Sequence, residues 1–208
     1  MDFSQRGFYH VYNRGNNGQK IFYDNENYTF FLRKIGNHLS PLVSIVAYCL
    51  LPNHFHFLIY VDYTYSLDDF ESSNKLGLKS KKISNGIAII LRSYTQAINK
   101  RYARTGSLFQ QKTKAKYLES RYTNYPFICF HYIHQNPLKA GLVKRVSDWE
   151  YSSYNCYVNV YSNTSIEKVI AYDLLDIPPN SNEFIKQSDS VQIFNEIYPS
   201  DGLEPSDG

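Results

Sequence analysis

The sequence predicts an α+β protein on a ferredoxin-like antiparallel sheet with helices on one face. Three observations in it carry that prediction. Apolar residues alternate along several short stretches, the period of a strand. Two longer stretches between them carry apolar residues at helical spacing. The second and third strand-like stretches are separated by a short turn at Pro52-Asn53, so they read as an antiparallel hairpin. The resulting order is β-α-β-β-α-β-α, followed by a C-terminal extension.

Each element has a local reason. FYHVYNRG (8–15) alternates and stops at Gly15, a strand running into a turn. NENYTFFLRKIGNHL (25–39) has apolar or aromatic residues at 28, 31, 32, 35 and 39, a helix with Asp24 or Asn25 as cap. VSIVAYCL (43–50) is β-branched and strand-like, Pro52-Asn53 is the turn, and HFHFLIYV (54–61) is its partner strand. Residues 62–81 show no period and read as a loop. From residue 83 to Gly106 apolar residues at 83, 87, 90, 91, 94, 98 and 102 make an amphipathic helix. SLFQQKTKAKYLE (107–119) alternates as a strand with Lys112, Lys114 and Lys116 on one face. TNYPFICFHYIHQN (123–136) is a helix with Thr123 or Asn124 as cap and Pro126 in its first turn, expected to stop before Pro137.

Charge divides the chain. Residues 1–147 hold 20 Lys/Arg against 8 Asp/Glu, a balance of +12, while 148–208 hold 2 against 11, a balance of −9. A basic body suits a polyanion, and 20 tyrosines offer surfaces for stacking on unpaired bases. The expected organisation is one domain over 1–155 and an acidic extension over 156–208, partly helical, whose negative charge does not favour a DNA backbone. Apolar stretches are too short to span a bilayer, and the first residues lack the basic-then-apolar pattern of a secretory signal. Cys49, Cys129 and Cys156 are odd in number and widely spaced, so a reducing, cytoplasmic setting is expected.

The chemistry-bearing residues are His54 and His56. One residue apart on a strand, they share a face, and Phe55 and Phe57 share the other. The phenylalanines are expected to pack against helices while the histidines line an open site, contributing little packing. Neutral imidazole is a common metal ligand. On the last helix Tyr132 and Asn136, four apart, lie one above the other. Asn136 can offer a carbonyl oxygen to a metal. Gln135, about 60° round the helix from Tyr132, is the second choice, and His131 and His134 point elsewhere. The residues by themselves also admit two histidines on a polar sheet face and a packing tyrosine.

NHFHFLI resembles the histidine–hydrophobic–histidine (HUH) motif of single-tyrosine HUH endonucleases. HYIHQNPLKAGLVKRVSDWEYSSY resembles the catalytic-helix segment of their insertion-sequence transposase branch, in particular the REP-associated tyrosine transposases. FYHVYNRG and GSLFQQK are similar to that branch as well, and the resemblance spans roughly residues 7–155. It implies cleavage and rejoining of single-stranded DNA beside hairpin-forming repeats. Tyr132 falls at the nucleophile, His54 and His56 at the metal ligands and Asn136 at the third polar ligand, with Mg²⁺ or Mn²⁺ as the ion. The expected partner is single-stranded DNA, with the chain a monomer or homodimer and no membrane partner. Phosphate contacts are expected from Arg14, Arg101, Arg104, Lys112, Lys114 and Lys116. Two other readings compete: a non-catalytic single-strand-binding module with Tyr132 as stacking platform, and a metal-dependent phosphodiesterase that uses water.

Overall fold

In the computed structural model, described over residues 1–63, 72–119, 124–158 and 166–191 (backbone alone at 72–76), four strands form one antiparallel sheet. The elements are β1 (Gly7–Arg14), α1 (Asn25–His38), β2 (Ser44–Leu51), β3 (His54–Val61), α2 (Ser72–Arg101), β4 (Lys114–Leu118) and α3 (Tyr125–Lys139), then three short helices. The sheet order β2-β3-β1-β4 is the ferredoxin-like arrangement the sequence predicts.

The two helices inside that unit share one sheet face. Asp24 caps α1 by accepting from the Asn27 N–H. Phe31 of α1 and Ile87, Ile90 and Tyr94 of α2 are buried with Val11, Phe55 and Phe57 from the sheet. The helices approach closely at Gly86, where a Cβ would stand 2.6 Å from the His38 carbonyl oxygen. The third helix lies on the other face. α3 packs across β2, β3 and β1 there, so the sheet is covered on both sides.

Three boundaries differ from the sequence reading, each for a tertiary reason. α2 starts at Ser72, well inside the stretch expected to be a loop; residues 64–71 lie outside the described residues. Its early turns are held by the chain start, through Phe3 N–H to Ser80 Oγ (2.9 Å) and Ser84 Oγ to the Met1 carbonyl (3.1 Å). The strand expected over 107–119 is confined to Lys114–Leu118. Residues before it meet the end of β1 at a Gly15–Phe109 bridge and through the Asn13 amide, which donates to the Gln110 carbonyl (3.1 Å) and Thr113 Oγ1 (2.8 Å), and Lys112 precedes the strand. α3 runs through Pro137 to Lys139. Its stop is a glycine cap: Gly141 takes φ +66°, its N–H reaches the Leu138 carbonyl (3.0 Å) and the Leu142 N–H reaches that of Pro137 (3.0 Å).

After α3 the chain closes the β2 edge. Leu50 N–H donates to the Tyr151 carbonyl (2.9 Å), Ser153 N–H to that of Tyr48 (3.0 Å) and Trp149 Nε1 to that of Leu50 (3.0 Å). The Trp and Ser-Ser-Tyr residues of the sequence motif thus cover a strand edge. α4 (Tyr154–Val158), α5 (Lys168–Leu175) and α6 (Ser181–Ser190) follow. Glu167 N–H joins the β2 edge at Ile45 (2.9 Å), and fully buried Phe184 of α6 packs against Phe130 of α3 and Tyr157 of α4. The described part of the extension is therefore built onto α3, α4 and β2, at the opposite end of the sheet from β4.

Candidate active site

Strand register brings the sequence-predicted residues to one face. In antiparallel pairs, opposed residues point the same way. His54 pairs with Arg14, His56 with Tyr12, Tyr12 with Lys114 and His10 with Lys116. Hence His10, Tyr12, Arg14, His54, His56, Lys114 and Lys116 share the face that α3 partly covers. The two histidine rings are 5.1 Å apart and perpendicular.

The two histidines differ in setting. His54 is half-buried at the start of β3, and its Nδ1 lies 2.6 Å from Asn53 Oδ1. His56 is fully buried rather than lining an open site, and its Nδ1 lies 2.9 Å from His10 Nε2. Its other nitrogen, Nε2, is buried with no hydrogen-bond partner. Burial, helped by Arg14, lowers the His54 pKa to about 4, and burial with His10 and His54 nearby pushes that of His56 well down. Both imidazoles are therefore neutral at pH 7, the form that ligates metal.

Tyr132 comes to this pair from α3. Its half-buried ring stands edge-on to His56 (5.7 Å between centroids, 85°) and to His10 (6.1 Å, 81°). The Lys139 ammonium lies 5.5 Å from the Tyr132 ring centre. One turn on, buried Asn136 donates its amide N–H to the Tyr132 carbonyl (3.0 Å), which leaves Oδ1 as the amide's acceptor. Gln135 is turned away: its amide donates to the Ser188 and Val191 carbonyls. His131 and His134 instead meet Phe184 of α6 (6.3 and 6.4 Å between ring centroids), and His134 Nε2 bonds Ser153 Oγ (2.7 Å), which is itself bonded to Tyr48 of β2.

Among the described residues no three His, Cys, Asp or Glu side chains cluster as a metal site. The donor set that does fit an ion is two imidazole nitrogens and one amide oxygen. The unsatisfied Nε2 of His56 and the oriented ring of His54 fit a cation that accepts nitrogen and oxygen, with water completing its shell.

The basic residues divide. Exposed Lys114 and Lys116 and cross-strand Arg14 lie on the histidine face, and Lys114 sits 5.7 Å from the Tyr12 ring centre. Arg104, after α2, is engaged with the loop after β1, donating to Gln19 Oε1 (2.6 Å). Lys112 is exposed outside the strand. Arg101 is not brought to this face. Expected as a phosphate contact, it is instead ion-paired with Asp24 (2.9 Å) and Glu26 at the start of α1, which packs on the other sheet face. Two residues of the site were not singled out by sequence reasoning. Asn53 directly precedes the paired histidines, and His10 shares the alternation that places Tyr12 and Arg14 on its face.

No family model and no curated protein matches the chain. A solved structure similar to it is that of a REP-associated tyrosine transposase bound to a REP hairpin. The two are 19% identical, the match covers 80% of this chain and 95% of that one, and the TM-score is 0.49. That is a distant likeness, and the chemistry of this site stands on its own side chains.

Proposed function

We propose that the protein is a tyrosine-dependent, metal-assisted DNA endonuclease and strand transferase of the transposase type, acting on single-stranded DNA beside hairpins. The observation that carries the reading is Tyr132 edge-on to His56, 5.7 Å away, on the sheet face where the His56 Nε2 has no partner. A phenol, two neutral imidazoles, an amide oxygen and cations on one face are the parts that phosphodiester transfer by a tyrosine needs.

The hydroxyl oxygen of Tyr132 attacks phosphorus and forms a new O–P bond. The P–O3′ bond breaks, the 3′ oxygen leaves as a hydroxyl after gaining a proton, and the phenolic proton goes to solvent. The strand's 5′ phosphate stays on the tyrosine. A 3′-hydroxyl can later reverse the exchange, so rejoining consumes no nucleotide. Lys114, Lys116 and Arg14 hold the DNA backbone by charge. The Nε2 atoms of His54 and His56 and the Oδ1 of Asn136 would hold Mg²⁺ or Mn²⁺, which when bound polarises a non-bridging phosphate oxygen. Hairpin-forming DNA as substrate follows from the motif resemblance.

The test is a denaturing gel with labelled hairpin oligonucleotides and Mn²⁺. Wild-type protein should give a covalent, slowly migrating complex, and Tyr132→Phe should give none while still binding DNA. Cleavage without an adduct in the wild type, surviving in Tyr132→Phe, would favour the water-using phosphodiesterase. Metal-independent binding with no cleavage would favour the stacking module.

A further inference from the structure

A histidine that ligates through Nε2 must carry its proton on Nδ1, and the partner of Nδ1 decides whether it does. His54 Nδ1 faces Asn53 Oδ1 at 2.6 Å. An amide oxygen only accepts, so His54 is the donor and its Nε2 holds a lone pair. His56 Nδ1 faces His10 Nε2 at 2.9 Å. Between two neutral rings this contact holds one proton. If it belongs to His10, His56 is protonated at Nε2, a buried N–H with no acceptor. If it belongs to His56, the Nε2 lone pair is free for a ligand. Either way one buried N–H stands outside this contact, at His56 Nε2 in the first case and at His10 Nδ1 in the second, so it is a cation at the His56 Nε2 that selects the second arrangement.

Resting on the function proposed above, we infer that Asn53 and His10 are positioning residues: each accepts the Nδ1 proton of one paired histidine and so presents both Nε2 lone pairs to the metal. His10 is not itself a ligand through Nε2, because that atom is engaged with His56. Its plane is held by stacking on Tyr12 (4.6 Å, 29°) and by the edge of Tyr132. Asn53 is held by the β2–β3 turn, its carbonyl accepting from the Gly15 N–H (2.7 Å). The pair thus ties ligand orientation to β1 and to the turn before β3.

The experiment measures Mn²⁺ affinity of the full chain without DNA, by calorimetry or by the electron-spin signal of free Mn²⁺. His10→Phe and Asn53→Leu remove the acceptors, and each should weaken binding about 10- to 100-fold. His10→Gln and Asn53→Asp restore an acceptor and should stay within a few-fold of wild type or bind more tightly. A packing role alone would let Phe replace His10 better than Gln. Ring-nitrogen NMR of the Mg²⁺-saturated wild type is the second readout, and it holds even if a variant does not fold: both His54 and His56 should carry the proton on Nδ1. Unchanged Mn²⁺ affinity in His10→Phe and Asn53→Leu, or a proton on Nε2 of either histidine, overturns the inference while leaving the tyrosine chemistry intact. A wild type that binds no Mn²⁺ overturns both this inference and the metal assistance proposed for cleavage.

Discussion

His54 and His56 are one residue apart, yet they contribute differently to the fold. His56 is fully buried and bonded to His10, whereas His54 is half-buried at the strand start. Removing His56 leaves a cavity and an unpaired His10 nitrogen, so His56→Ala should cost about 2 kcal/mol in urea unfolding. His54→Ala should cost less than about 1 kcal/mol. Both should lose metal-dependent cleavage. Equal, negligible stability losses would contradict the buried setting of His56. The paired histidines could be placed on one face from their spacing alone. Their depth could not, because it comes from α3 lying over that face, a contact between segments far apart in the chain.

At the scale of elements, the seam between α3 and α6 is sensitive to acid. Burial lowers the His131 pKa to about 4 and that of His134 well below 6.5. A histidine with a depressed folded pKa binds its proton more readily when unfolded. The seam's contribution is therefore complete above about pH 6.5 and is lost progressively as pH falls toward 4. Unfolding midpoints measured between pH 7.5 and 4.5 should fall with acid, and fall less steeply in His131→Phe; parallel slopes in the two proteins would contradict this. The α1–α2 contact gives a second prediction. Gly86→Ala forces its Cβ against the His38 carbonyl, so the helices must part, at about 1–3 kcal/mol and a lower Tm. Periodicity made α1, the β2–β3 hairpin and the core of α2 legible. The start of α2 was not, because Phe3 and Ser84 hold it through contacts with the chain start. The end of α3 was written in Gly141, but Pro137 is the louder local signal. Its missing N–H falls in the last turn, where the glycine cap still closes the helix.

For the molecule as a whole, the acidic extension is structural over its described part. Phe184 fills a pocket between α3 and α4. A chain ending at Val158 should therefore unfold at lower urea, and Phe184→Ala in the full chain should cost about 3–5 kcal/mol. The described residues of the extension do not lie across the basic face; they dock on α3 and the β2 edge, and residues 192–208 lie outside the described residues. Charge asymmetry was legible in the sequence, but where the acidic half docks depends on a few buried apolar residues, among them Ala171, Leu175, Ile177 and Phe184, scattered through a polar stretch. On the basic side, Lys114→Ala with Lys116→Ala should flatten the salt dependence of single-strand binding by about 1.4 in log–log slope, at roughly 0.7 for each phosphate no longer neutralised. Arg101→Ala should leave that slope unchanged, since its charge is paired with Asp24 and Glu26. The central claim is that Tyr132 becomes joined to DNA. The most direct measurement forms the complex with a hairpin oligonucleotide and Mn²⁺, digests protein and DNA, and maps the nucleotide-bearing residue by mass spectrometry. The expected result is a 5′-phosphate linkage on Tyr132; a linkage on any other residue, or strand cleavage with no nucleotide attached to the protein, would contradict the tyrosine mechanism.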